Sequence, residues 1–341
     1  MTLPPPHQQV PRPTPIRSEA DVLALVPFTL GFHPDDSLVL ITLNGDDGTF
    51  HARIDLPEEP GEIATVVEML VEAADRNRGP APTGTLVVAY TEDECVAEAA
   101  VELLEARLVA EGFELLMAIR ADGSRWFPLG AGSRDRPAPR DSEGVPYDVR
   151  THELTTRAVL EGRVTYRNRD ELVDSLAPVD PDAVEEVEAA HAALLGLDPD
   201  DREQLRLEAR WLLAQVHAAV ESGTVPGPLS IARMLRAVAD PDVRDLAWCE
   251  VGRSDAARHA DLWREVVRRS PDQLVAPAAG LLAFTAWLSG DGALAWCAVE
   301  RSLHADPDNV LARLVSQALD SALPPSTWVP MDPTALPLGS A

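Results

Sequence analysis

His33, Asp35, Asp36 and Ser37 fall within five consecutive positions of the block GFHPDDSLVL at 31–40, just ahead of an apolar run. Carboxylates at that density can hold a hard cation, and a histidine titrates near neutral pH, so these are side chains of metal binding or hydrolysis. Strand patterning enlarges the group. If the hairpin turn is centred between Gly45 and Gly48, Leu43 faces Phe50, Ile41 faces Ala52 and Val39 faces Ile54, which makes one face wholly apolar. The other face then carries His51, Arg53 and Asp55 in line, across from Leu38, Leu40 and Thr42. Asp55 ends its strand where Ser37 begins the other, so His33, Asp35, Asp36, Ser37, Arg53 and Asp55 are expected to form one polar, ligand-binding cluster. Arg53 beside Asp55 is either an ion pair that orients a loop or a grip on a carboxylate or phosphate. Turn chemistry explains the same block more simply: proline sets φ and an aspartate bonds backbone amides two residues on. No nucleophile elbow surrounds Ser37, and no catalytic residue is assigned.

The other chemistry-bearing residues read as structure. Thr91 with Glu94 forms a capping box at the strand-to-helix junction YTEDE, where three carboxylates repel phosphate and no glycine-rich loop precedes them. His191, His217, His259 and His304 are isolated, so no metal motif emerges, and no cofactor is expected. Trp211, Trp248, Trp263, Trp287 and Trp296 lie on helical periods and belong to the core; Trp126 and Phe127 pack the end of a sheet. Cys95, ringed by Glu92, Asp93 and Glu94, reads as a core thiol.

Composition removes whole classes of function. The chain has 341 residues and no lysine, so neither a Walker A loop nor a Schiff-base mechanism is available. Its 29 basic residues are all arginine, against 56 acids, for a net charge of -27 that repels polyanions; nucleic acid is not an expected partner. Three cysteines without a Cys-x-x-Cys fit a reduced, cytoplasmic chain. Residues 1–16 read as a disordered proline-rich tail without a secretion signal. The uncharged stretch 273–290 holds Pro277 and Gly280 and is a buried helix rather than a membrane span.

The elements that must position these residues alternate in the first half. A helix opens at the capping box of Ser18 and Asp21 and is disturbed by Pro27. Strands over 37–43 and 50–56 form the hairpin; a helix at 62–76, a strand at 85–90, a helix at 93–111 and a strand at 114–120 follow. Residues 127–148 read as loop, and helices are expected at 151–160, 169–176, 181–195 and 199–221. The fold class is thus an α/β layered domain over 17–178 with a long loop at about 128–148, then an all-α, tetratricopeptide-like helical-hairpin domain over 179–325 and a proline-rich tail over 326–341. The repeat rests on Gly290, Ala295, Ser302 and Pro307 at tetratricopeptide spacing, and on an echo between the Pro271 and Pro307 turns.

The blocks LALVPFTLGFHPDDSLVL, ARIDLP, VVAYTEDE and DGSRWF, with VRDLAW, the GDGALA-containing tail and LPPSTW, resemble the actinobacterial domain-of-unknown-function family 4192. Similar members carry cysteines after the RW block. Here Gly144-Val145-Pro146 remains but residues 129–143 hold no cysteine, so no zinc or redox role carries over. The resemblance brings no activity with it. A non-catalytic protein that binds a protein or small-ligand partner, away from membranes, is the expectation; metal-assisted hydrolysis by His33, Asp36 and Asp55 is the alternative.

Overall fold

The computed structural model describes residues 16–44, 49–79, 84–130, 143–160, 164–178 and 180–339; the expected N-terminal tail, save Ile16, lies outside them. Helix α1 (Glu19–Leu30) opens on the expected capping box, with Ser18 Oγ accepting from Asp21 N and the Asp21 carboxylate accepting from Ser18 N. Pro27 sits inside the helix without ending it. Gly31 does, with the left-handed φ of 78° that glycine adopts freely.

Strands β1 (Ser37–Leu43), β2 (Thr49–Asp55), β3 (Gly84–Tyr90), β4 (Glu114–Ala121), β5 (Arg125–Pro128) and β6 (Val145–Pro146) form a mixed sheet in the order β2-β1-β3-β4-β5-β6. Helix α2 (Ile63–Arg76) links β2 to β3. Helix α3 (Glu94–Ala110) carries the chain back across the sheet, so β3 and β4 run parallel. The expected loop at 127–148 overlaps two short strands instead, β5 and the edge strand β6. Asp122 accepts from Ser124 N and Arg125 N, and this turn returns the chain as β5 against β4.

The hairpin register differs by one residue from expectation: Leu43 pairs with Thr49, Ile41 with His51, Val39 with Arg53 and Ser37 with Asp55. The reason lies in the layers. Leu38, Leu40, Val87 and Ala89 pack on α2 and α3, while Val39, Ile41, Leu86 and Val88 pack on α1 from the other side. A strand buried on both faces is apolar on both, so alternation cannot select its register. His51, Arg53 and Asp55 therefore share the face of Val39 and Ile41.

Helices α4 (Glu153–Leu160), α5 (Arg169–Asp174), α6 (Pro181–Ala192), α7 (Arg202–Ser222), α8 (Pro228–Val238), α9 (Pro241–Cys249), α10 (Ala256–Val267), α11 (Val275–Ser289), α12 (Gly292–Ala305) and α13 (Val310–Asp320) complete the chain. Helix α11 is buried along almost its whole length and packs against α10, α12 and α13. Ser302 Oγ, fully buried, donates to Ala276 O at 2.7 Å and ties α12 to α11. No helix among the described residues is long and apolar enough to cross a membrane. The apolar layer between the sheet and α1 continues without a break into the helices. Residues beyond α13 are packed: Trp328 Nε1 donates to Val251 O at 2.9 Å, and Met331 N to Cys249 O at 2.8 Å.

Candidate functional site

The start of β1 and the ends of β2 and β3 meet at one edge of the sheet, with Ser37 between Asp55 and Tyr90. The structure thus brings His33–Ser37, Arg53 and Asp55 together, through a register other than the expected one. Turn and edge contacts occupy most of their polar atoms. Asp36 has a left-handed φ of 37°; its carbonyl accepts from Leu56 N at 2.8 Å, and its carboxylate accepts from Thr91 Oγ1 at 2.9 Å. Asp35 Oδ1 accepts from Asp36 N at 3.1 Å. Arg53 Nη2 lies 2.6 Å from Asp55 Oδ1 and donates to Asp35 O at 3.4 Å, with its guanidinium over the Phe32 ring. His33 is anchored by its backbone N to Tyr166 O, and burial lowers its pKa. Ser37 is wholly buried, and its Oγ, like the neighbouring Tyr90 hydroxyl, has no partner among the described residues.

Two further expectations change here. The cap of α3 is Asp93, whose Oδ1 accepts from Val96 N at 3.0 Å. The helix begins two residues later than a Thr91 box requires, and the Thr91 hydroxyl reaches Asp36 instead. Cys95 is exposed rather than in the core, because it lies on the outer face of the first turn of α3. Cys249 and Cys297 are the buried thiols, and burial pushes both up to about 11. Among the described residues no three His, Cys, Asp or Glu side chains gather where a metal ion could be held.

A different part of the fold has the form of a binding site. Helices α7, α9 and α10 surround a cavity of about 270 Å³. Its floor is apolar, from Val216 of α7, Leu246 and Ala247 of α9, and Val251 just beyond, with half-buried Val220 of α7 at the mouth. Its polar wall holds His217, Glu221, Glu250, Asp255, Arg258 and His259. The α7 members recur at three- and four-residue spacing, so one helical face supplies them. Asp255 Oδ1 accepts from Gly252 N at 3.0 Å and fixes the link between α9 and α10.

His259 is 5% exposed, with Nε2 3.7 Å from Asp255 Oδ2 and Nδ1 without a partner among the described residues. Burial lowers its pKa; Asp255 opposes that, while His217 and Arg258 add to it, so the ring is neutral at physiological pH. Glu221, Glu250 and Arg258 are exposed and form no ion pair among the described residues.

The family model "Domain of unknown function (DUF4192)" matches residues 20–326. The chain belongs to the DUF4192 family. No curated protein and no solved structure matches it. In this DUF4192 protein both the sheet-edge turn and the helical cavity lie inside the matched span. The isolation of His217 and His259 in sequence hid the cavity. The available signal was that His259 falls at helical spacing with buried Ala256, Trp263 and Val266, an unusual place for an imidazole.

Proposed function

We propose that this DUF4192 protein is a non-catalytic ligand-binding protein whose recognition site is the cavity between α7, α9 and α10. The observation that carries the reading is the cavity itself, an apolar floor under a rim of His217, Glu221, Glu250, Asp255 and Arg258. The volume is just below the range of about 300–1,000 Å³ usual for ligand pockets, which favours a small molecule over a peptide or nucleotide. The Gly280 and Ser302 contacts of α11 with its neighbours support a tetratricopeptide-like reading of the last helices. Three unpaired cysteines support a reducing, cytoplasmic setting. Metal-assisted hydrolysis draws no support from the sheet edge, where Asp36 is bonded to Thr91 and Asp55 to Arg53.

The test is saturation-transfer NMR on the full chain with a mixed set of small amines, alcohols and carboxylates, repeated on Val220→Trp, which fills the half-buried cavity mouth. Fragments that bind the native chain and are lost in the variant support the reading. Absence of binding, or equal binding to the variant, refutes it.

A further inference from the structure

The geometry points to the outer edge of β2 as an interface between two copies of this chain, joined as antiparallel strands about a two-fold axis at Ala52. Strand β2 ends the order β2-β1-β3-β4-β5-β6, so β1 is its one strand neighbour among the described residues. The register and the bond from Leu56 N to Asp36 O decide which of its backbone groups face outward. Directly opposed residues of an antiparallel pair alternate between bonded and unbonded. Asp36 and Leu56 are a bonded pair, so Leu38–Ile54, Leu40–Ala52 and Thr42–Phe50 are bonded as well. Thr49, His51, Arg53 and Asp55 therefore turn both N–H and C=O away from β1, and these groups meet no partner among the described residues.

Proteins ordinarily blunt such an edge with a proline, a bulge or a strand too short to pair. The opposite edge of this sheet is treated in that way, since β6 has two residues and ends on Pro146. Strand β2 has seven residues and no proline, and its register with β1 runs from Thr49 to Asp55 without a bulge. A row of open amides on a regular strand is completed by another extended strand.

The sequence TFHARID selects a second copy of itself. With Ala52 on the axis, Thr49 of one copy opposes Asp55 of the other, Phe50 opposes Ile54, and His51 opposes Arg53. Every outward group of both strands is then bonded. Moving the axis to His51 or Arg53 leaves some of them unpaired, and an axis at Arg53 also sets two guanidiniums against each other. The pairs about Ala52 are compatible on both faces. Phe50 and Ile54 are half-buried and apolar, Thr49 offers a hydroxyl to a carboxylate, and Arg53 carries its own counter-charge in Asp55 at 2.6 Å. His51 opposes Arg53 without repulsion, because burial lowers its pKa and keeps the ring neutral. The charge of -27 on each chain opposes association at long range, so the contact tightens as salt is added.

Sedimentation equilibrium of the full chain from about 1 to about 300 µM tests this, together with covalent trapping. One strand pair is a small interface, so the expected result is a monomer–dimer equilibrium with a Kd of about 10–100 µM at about 0.15 M salt, tighter at about 0.5 M. Thr49→Pro removes an outward N–H at the exposed first residue of the strand, where proline is tolerated, and should weaken the dimer about tenfold. In a Cys95→Ser background, Ala52→Cys should give a disulfide-linked dimer under mild oxidation. An unbonded antiparallel pair sets its Cα atoms about 4.5 Å apart, within disulfide reach. Phe50→Cys, which faces Ile54 rather than its own copy, should stay unlinked. A native chain that remains monomeric at every concentration and both salt levels overturns the proposal and leaves the edge to some other extended chain. A dimer that Thr49→Pro does not weaken, or that Ala52→Cys does not trap, overturns it as well, because the contact then lies elsewhere.

Discussion

Replacing His259 by phenylalanine should make the protein more stable. The imidazole is 5% exposed, lacks a partner at Nδ1, and stands 3.7 Å from Asp255 at Nε2. An orphaned buried polar atom costs about 1–3 kcal/mol, and the Asp255 contact, longer than a hydrogen bond, returns only a few tenths. The larger ring has the adjoining cavity of about 270 Å³ to expand into, so overpacking adds little. The net expectation is a gain of about 1 kcal/mol, or about 1–2 °C in melting temperature for a chain of this length. Urea unfolding of native and variant chains, followed by far-UV circular dichroism, reads the difference as a shift in midpoint at constant slope. A loss of about 2 kcal/mol or more would refute the reasoning, because it would mean that the imidazole is already satisfied without a ligand and serves the fold.

The sheet edge gives a second prediction. Asp36→Ala loses the Thr91 bond and strains a left-handed backbone, for about 2–3 kcal/mol, whereas Asp36→Gly loses only the bond, about 1 kcal/mol; equal losses in urea would show that the φ of 37° carries no strain. In the native state one thiol of three should react promptly with a disulfide reagent, and mutation of Cys95 should remove it, since burial holds Cys249 and Cys297 protonated; two or three fast thiols would contradict this burial. Stability should fall as pH drops from 7.5 to 5.5. Burial lowers the pKa of His33, His51, His191 and His259 below 6.5, so in this window the unfolded chain binds protons that the folded chain refuses, and stability rises with pH. His51→Gln with His259→Phe should flatten the urea-midpoint profile over that range, and an unchanged slope would overturn the assignment.

What could be read from the residues was local. Ser18 and Asp21 specify the start of α1, and the strand at 85–90 is buried because it is apolar after Thr85. The neighbourhood of Ser37 and Asp55 was also legible, since strand ends meet whether or not the pairing is off by one. The register was not, because β1 is covered on both sides and Leu38 and Leu40 are as buried as Val39 and Ile41. Strand β5 escaped notice because it is short, sits near the sheet edge and ends at Pro128, leaving no run of alternation to detect. The cavity escaped for a tertiary reason. His217 and His259 become neighbours only through the packing of α7 on α9 and α10, and no spacing along the chain encodes which helix faces meet.

Whether the cavity between α7, α9 and α10 is a ligand site is read most directly at His217, which lines it. Side-chain 15N spectroscopy of the imidazoles, with the His217 signals assigned from a His217→Gln spectrum, follows titration with the fragments. Expected is a shift of the His217 signals that saturates with added fragment in the native chain and is absent in Val220→Trp, while exposed His304 stays unmoved. His217 signals that stay still under every fragment in excess, or that move equally in Val220→Trp, would contradict it.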